Sequence, residues 1–544
     1  DQVDSLVDMD IKAACLNSSM RMTERRDVIN RLKAGEIKLL YISPERLRME
    51  STISLLQSVK LSFFVIDEAH CISHWGHDFR ADYRHLYIIK EAFDSVGVHG
   101  FTATATEEVQ RDIIVQLRLD TPDTHIGPVD RPNLVYRTGL RVDLIKQIQT
   151  ILERHRGEPG IIYCLRRKDV DKVSEQLNDL GFKNVPYHAG LSDNDRHRNQ
   201  DRFLTEEVDI VVATIAFGMG IDRSNVRFVL HAAMPKTIEH YQQETGRAGR
   251  DGLLSNCYLL YGGGDYHTHN SFVHESPNRD AMMDKIGYMF NFCTRPQCRH
   301  RVLVSYFGQE YEAASCGACD FCLGEVDMVE DPLVVGQKIL SCVYRVNHGE
   351  SYGFGAGYIT SVLKGSNIDR IKNNGHQSLS TFGLMSSETI TYIRFMIEQL
   401  VGQRFLQRHP EHQTLFLTET GGDLLKGEAV PALAKPLVAK KKKEIARKRR
   451  EIREEEWAGV DRGLFSLLRD KRRELARAKG VPPFIIFGDR SLKDMALLKP
   501  LNKEEFTDVF GVGERKLEQY SEPFIEVIKT YLEGGETETT SELP

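Results

Sequence analysis

"VIDEAHCISHWGHDFR", residues 65–80, decides how this chain is read. The apolar run "FFVID" has the make-up of a short strand buried in a parallel sheet, so Asp67 and Glu68 fall at its carboxyl end, where open α/β sheets bind ligands. Two carboxylates there suit a phosphate and Mg²⁺ site. The Asp holds the ion, usually through water, and the Glu polarises the attacking water, because phosphoryl transfer depends on positioning and charge neutralisation. His70 is placed to link this site to a second one. The remainder, "CISHWGHDFR", mixes aromatic, basic and small residues too densely for an ordinary core strand.

Around this stretch, "IKLLYIS", "LSFFVID" and "VHGFTAT" alternate with polar helical segments over residues 1–128, the rhythm of a parallel sheet with crossover helices. The rhythm resumes over residues 129–265 in "GIIYC", "NVPYHAG", "VDIVVAT" and "VRFVLHA", which predicts a second α/β lobe. Residues 266–325 read as helical and end in a cysteine cluster. Residues 326–430 read as helices followed by the hairpin "RFLQRHPEHQTLFLT", the pattern of a winged helix. A charged linker helix over 431–457, a compact helical segment over 458–534 and an acidic tail over 535–544, expected to be disordered, complete the chain.

With 544 residues, 41% of them hydrophobic, the chain can bury several cores. A net charge of −6 argues against a wholesale nucleic-acid coat and leaves room for local basic tracks. No apolar run approaches the roughly 20 residues of a membrane helix, so no membrane partner is expected and the chain reads as intracellular. In such a reducing compartment, the five of its ten cysteines that fall between Cys293 and Cys322 suggest a metal site before a disulfide framework. "CGACDFC" supplies Cys316, Cys319 and Cys322, and Cys298 or Cys293 can complete four thiolates. An iron–sulfur cluster is the rival, but "LGEV" follows Cys322 in place of the ferredoxin continuation.

Two further stretches support a nucleotide site between the lobes. "FTATAT" (101–106) closes the next strand of the first lobe, and "HYQQETGRAGRDG" (240–252) sets Gln243, Arg247 and Arg250 in the second. Arginines that face a nucleotide from a neighbouring lobe act on the γ-phosphate. Together with "VVATIAFGMGID" (211–222), DEAH, TATAT and QETGRAGRDG look like motifs II, III, V and VI of superfamily-two helicases, and "CISHWGHDFR" narrows the resemblance to the RecQ family of ATP-dependent DNA helicases. The resemblance runs from residue 1 to about 534.

It implies a multidomain α/β protein with two RecA-like lobes, the first truncated, followed by a helical zinc-binding region, a winged helix and a helical HRDC domain. It also implies ATP-driven 3′ to 5′ DNA unwinding in repair and recombination. By resemblance, Asp67, Glu68, His70, Gln243, Arg247 and Arg250 are catalytic. Asp67, Glu68, Gly220, Asp222, Arg247 and Arg250 hold Mg²⁺ and ATP, and Cys298 completes a structural Zn²⁺ site with Cys316, Cys319 and Cys322, leaving Cys293 a spare thiol. His74, Trp75, His77, Phe79, Arg80, Thr214 and Phe217 contact DNA. His74 stands where many relatives carry Gln or Glu.

Candidates for accessory contacts are Arg370, Lys372, His376 and the hairpin around Arg408 in the winged helix, and Lys471, Arg472, Arg473 and Lys516 in the HRDC-like segment. The expected partners are single-stranded DNA, duplex junctions and, through the winged helix, a single-stranded-DNA-binding protein. The expected location is the cytoplasm and nucleoid of a bacterium or the nucleus of a eukaryote.

One motif is missing. No Gly-Lys-Ser or Gly-Lys-Thr occurs in the 544 residues, so the phosphate-binding loop G-x-x-x-x-G-K-[S/T] is absent from them. The sequence therefore reads as a fragment with weak ATP hydrolysis and an exposed first lobe. The alternative is a non-catalytic, zinc-stabilised DNA-binding protein.

Overall fold

The computed structural model describes the chain except residues 1–2, 4–5, 8–9, 18–19, 77, 216, 218–222, 274–278, 349–352, 410–411, 437–444, 446, 448, 450–453, 455–456 and 539–544. His77, Gly220, Asp222, most of the charged linker and the end of the tail therefore lie outside the described residues.

In the first lobe, strands β1 (Ala13–Leu16) and β2 (Leu39–Ile42) pair in parallel, as do β3 (Phe63–Ile66) and β4 (Gly97–Gly100). Among the described residues these form two separate two-stranded sheets with two small cores, one under Leu16 and Val28, the other under Ile66, Ile72 and Ile113. Apolar surface is exposed here, including Phe63 and Val65, each 54% accessible.

The second lobe is a six-stranded parallel sheet of β5 (Leu134–Leu140), β6 (Gly160–Tyr163), β7 (Asn184–Tyr187), β8 (Ile210–Ala213), β9 (Phe228–His231) and β10 (Ser255–Tyr261), in the order β5-β10-β9-β6-β8-β7. Side-chain alternation divides the strands between two cores: Ile161, Val211 and Val229 point into one, Ile162, Val212 and Leu230 into the other. Continuous apolar runs such as "DIVVAT" arise because both faces of the sheet are covered.

The cysteine loop covers the β5 edge. Tyr136 N–H donates to Ala318 O at 3.1 Å, Asp320 N–H donates to Tyr136 O at 2.9 Å, and the Asp320 carboxylate accepts from Thr138 N–H and Arg299 Nε. One apolar core then runs on from Leu134 through Phe290 and Phe292 of helix Arg279–Thr294 to Ile393 and Ile397 of helix Ile390–Gly402. That last helix belongs to the winged helix, whose sheet joins β12 (Phe354–Gly355), β13 (Leu406–Arg408) and β14 (Thr414–Leu417), all antiparallel. A short pair, β11 (Asp327–Met328) with β15 (Ala434–Lys435), ties its two ends.

The HRDC segment has its own core around Leu464, Phe487, Met495 and Phe524. Its last helix, Glu514–Glu538, runs into the segment expected to be disordered from residue 535. Once started over the apolar contacts of Phe524 and Ile528, a helix gains one hydrogen bond for each residue added.

This domain docks on the turns that lead into β8 and β9. Arg472 donates to Glu206 and to Asp489, both at 2.8 Å, Arg473 donates to Glu206 at 3.0 Å, and Asn225 donates to Asp489 at 3.3 Å. Arg472 is completely buried, so its charge is committed to these partners and not to DNA phosphate.

Candidate nucleotide and DNA site

Strand β3 ends at Ile66, and the chain turns at once. Asp67 is exposed, and its carboxylate accepts from Glu68 N–H at 2.9 Å, while Glu68 takes a left-handed backbone with φ 50°. Such a conformation in a non-glycine residue is strained and is found preferentially at functional sites. It aims the Glu68 carboxylate at His70, whose Nδ1 lies 3.2 Å from Glu68 Oε2 and 2.9 Å from Thr102 Oγ1. His70 is thus the link between the acidic pair and the "TATAT" stretch.

The Glu68 carboxyl is held below its ordinary range, first by the hydrogen bond from His70, against the opposing effect of burial, and then by the charges of His70, Arg247 and Arg80. Arg247 belongs to the second lobe and is buried, and its charge is one of those that lower the Glu68 carboxyl. Arg247 also bonds the Tyr163 hydroxyl, which burial pushes up to about 12. Gln243 is half-buried on helix Ile238–Thr245, and Arg250 is exposed just beyond it.

The aromatic stretch follows directly. Trp75 is 45% and Phe79 37% accessible, and the His74 and Phe79 rings lie 3.9 Å apart at 30°. Arg80 is held by Asp78, with Nη2 at 2.8 Å and Nε at 3.1 Å from one carboxylate oxygen. Gly76 is a residue the sequence reading passed over. A Cβ there would stand 2.5 Å from His70 O, so the loop folds back on the DEAH turn only because position 76 has no side chain.

In motif V, Thr214 is 8% accessible. Phe217 is 1% accessible and packs against Tyr187 and Phe203; its carbonyl, not its ring, is engaged, accepting from the Tyr163 hydroxyl at 3.0 Å.

In the accessory domains, His376 is buried against Tyr358, and Arg408 is buried against Glu398 and His267. Arg370 and Lys372 are exposed. Lys471 pairs with Glu474 at 3.1 Å, and Lys516 lies over the Phe487 ring.

The Sγ atoms of Cys298, Cys316, Cys319 and Cys322 lie within 4.8 Å of one another. Tetrahedral Zn²⁺ with bonds of about 2.3 Å sets its sulfurs roughly 3.8 Å apart, so the four thiols fit that ion with a small contraction. Two backbone N–H groups support the sulfurs: Ala318 N points to Cys316 Sγ and Cys322 N to Cys319 Sγ, each at 3.4 Å. Hydrogen bonds from Cys316 and Cys319 hold the Cys298 thiol below its ordinary value. Cys293 is buried outside the cluster.

Family models match successive parts of the chain: DEAD/DEAH box helicase at residues 1–112, helicase conserved C-terminal domain at 143–252, RecQ zinc-binding at 263–323, RQC domain at 329–442 and HRDC domain at 461–528. Over 98% of its length the chain is 38% identical to the ATP-dependent DNA helicase RecQ of Pasteurella multocida, spanning 83% of that protein. The RecQ helicase of Haemophilus influenzae is also 38% identical, with 85% of it covered, and that of Bacillus subtilis 37%, with 87% covered; each match takes in 98% of this chain.

Proposed function

The chain belongs to the RecQ family of ATP-dependent DNA helicases, and from that premise we propose how its own residues divide the work. Asp67 and Glu68 hold Mg²⁺ and orient the attacking water, with His70 carrying the state of Glu68 to Thr102. Gln243, Arg247 and Arg250 meet the γ-phosphate from the second lobe. The observation that carries this reading is the left-handed turn at Glu68, which sets its carboxylate 3.2 Å from His70 and, through His70, links it to Thr102.

Trp75 and Phe79 offer exposed rings on which bases of single-stranded DNA stack, each worth about 1–3 kcal/mol. Zn²⁺ on the four cysteines fastens the β5 edge. The reaction is 3′ to 5′ unwinding at single-strand–duplex junctions in DNA repair and recombination, with the winged helix open to a single-stranded-DNA-binding protein. Because no lysine of a phosphate-binding loop is found among these 544 residues, they turn ATP over slowly by themselves.

Calorimetric titration with a non-hydrolysable ATP analogue in Mg²⁺ tests the reading. Binding that Arg247→Ala weakens at least tenfold is expected. No binding at high Mg²⁺ favours the non-catalytic DNA-binding alternative, and fast DNA-stimulated turnover overturns the slow-hydrolysis part.

A further inference from the structure

Lys285 sits on helix Arg279–Thr294, outside both lobes, and its ammonium touches each of them. Nζ donates to the carbonyl oxygen of Trp75 at 2.6 Å and to Glu239 Oε1 at 2.6 Å. Trp75 is the exposed ring of the aromatic stretch. Glu239 is 2% accessible in the first turn of helix Ile238–Thr245, the helix that carries Gln243 and leads into Arg247 and Arg250.

Burial alone would raise the Glu239 carboxyl. The Lys285 charge and hydrogen bond, with help from Thr237, reverse that and hold its carboxyl below the ordinary range. An ammonium suits such a post because a compact charge with three donors on a flexible stem serves two acceptors that move independently.

We infer that Lys285 is a positioning residue that couples DNA at Trp75 to the arginines at the nucleotide. A base that stacks on Trp75 and displaces the loop backbone must stretch or break the bond to Lys285. Lys285 is also the counter-ion of the buried carboxylate at the start of the arginine-bearing helix, so the displacement reaches that helix. The inference rests on the DNA role proposed for the aromatic stretch.

Hydrogen exchange read by mass spectrometry on the full chain tests it without any need for ATP turnover. In the free protein, Lys285→Met is expected to raise exchange several-fold in both 71–80 and 237–250, and Lys285→Arg to leave both near the starting level. An effect on only one segment overturns the bridge.

Added single-stranded oligonucleotide is expected to change exchange in 237–250 of the unmutated chain but not of Lys285→Met. The variant should still bind, as read by quenching of Trp75 fluorescence with Trp457, the chain's other tryptophan, replaced by Phe. A DNA effect on 237–250 that survives in Lys285→Met overturns the inference. Should Lys285→Met fold poorly with Glu239 left unpaired, the double variant Lys285→Met/Glu239→Gln removes both charges and carries the same expectations. If DNA leaves Trp75 unchanged in the unmutated chain, the DNA role of the loop fails, while the free-protein comparison still decides the bridge.

Discussion

Strand β8 (Ile210–Ala213) is buried at every position, whereas strand β3 (Phe63–Ile66), just as apolar and also leading into a functional motif, leaves two of its four residues exposed. The difference lies in the neighbours. In the second lobe the β5 edge is covered by the cysteine loop, both faces carry cores, and the turns before β8 and β9 are covered by the HRDC domain. In the first lobe each described strand has one partner. The DEAH turn is held there by local contacts from Glu68 to His70 to Thr102, not by a surrounding sheet. Among the described residues, DEAH thus follows a two-stranded sheet and motif V a six-stranded one.

The sharpest way to break this contrast is to remove the cysteine clamp. Structural Zn²⁺ sites of this type contribute on the order of 10 kcal/mol, so chelation or Cys319→Ser is expected to lower the thermal midpoint of the second lobe by more than about 10 °C. Calorimetry should leave a transition of the first lobe in place.

Next comes the HRDC contact. Arg472→Ala takes one of two arginine partners from the buried Glu206 carboxylate and the arginine partner from Asp489, and should cost about 3–5 kcal/mol, read as release of the domain in small-angle scattering. In the first lobe the exposed pair Arg31–Asp27, 3.7 Å apart, makes Arg31→Ala worth under about 0.5 kcal/mol.

Glu325 predicts the acid behaviour of the second lobe. Burial would raise its carboxyl, but Arg449 and Arg137 pull it from 4.5 down to about 2. A depressed carboxyl stabilises the fold above its unfolded value and loses that stability as pH falls through the folded one, so about 3 kcal/mol should vanish between pH 4.5 and 2. Glu325→Gln should flatten the acid unfolding curve in that window.

Two glycines sharpen the comparison between the lobes. A Cβ at Gly160 would lie 2.1 Å from the Phe228 ring, so Gly160→Ala should cost about 1–3 kcal/mol in denaturant unfolding. At Gly100 of β4 the nearest atom would be 3.5 Å away, and Gly100→Ala should stay within about 0.5 kcal/mol.

Most of the fold was legible because its signals are local. Apolar runs located the strands, and "CGACDFC" located the metal site, since spacing along the chain fixes which side chains meet. Arg472 and Glu206, 266 residues apart, could not be paired from sequence, because any of the chain's many charges could have been the partner. By sequence Arg472 is a candidate phosphate contact, whereas in the fold it is spent on Glu206 and Asp489. The place of Phe217 in motif V suggests a DNA contact, and only the structure shows its ring packed between Tyr187 and Phe203. The Lys285 bridge was equally invisible, because it joins three segments that share no periodicity.

We propose that the aromatic stretch after DEAH meets single-stranded DNA beside the nucleotide site. Its most direct test is Trp75 fluorescence in a Trp457→Phe background, titrated with a 3′-tailed duplex. Saturable quenching that Phe79→Ala weakens several-fold is expected. A Trp75 signal that stays constant while the DNA binds elsewhere on the chain would contradict it.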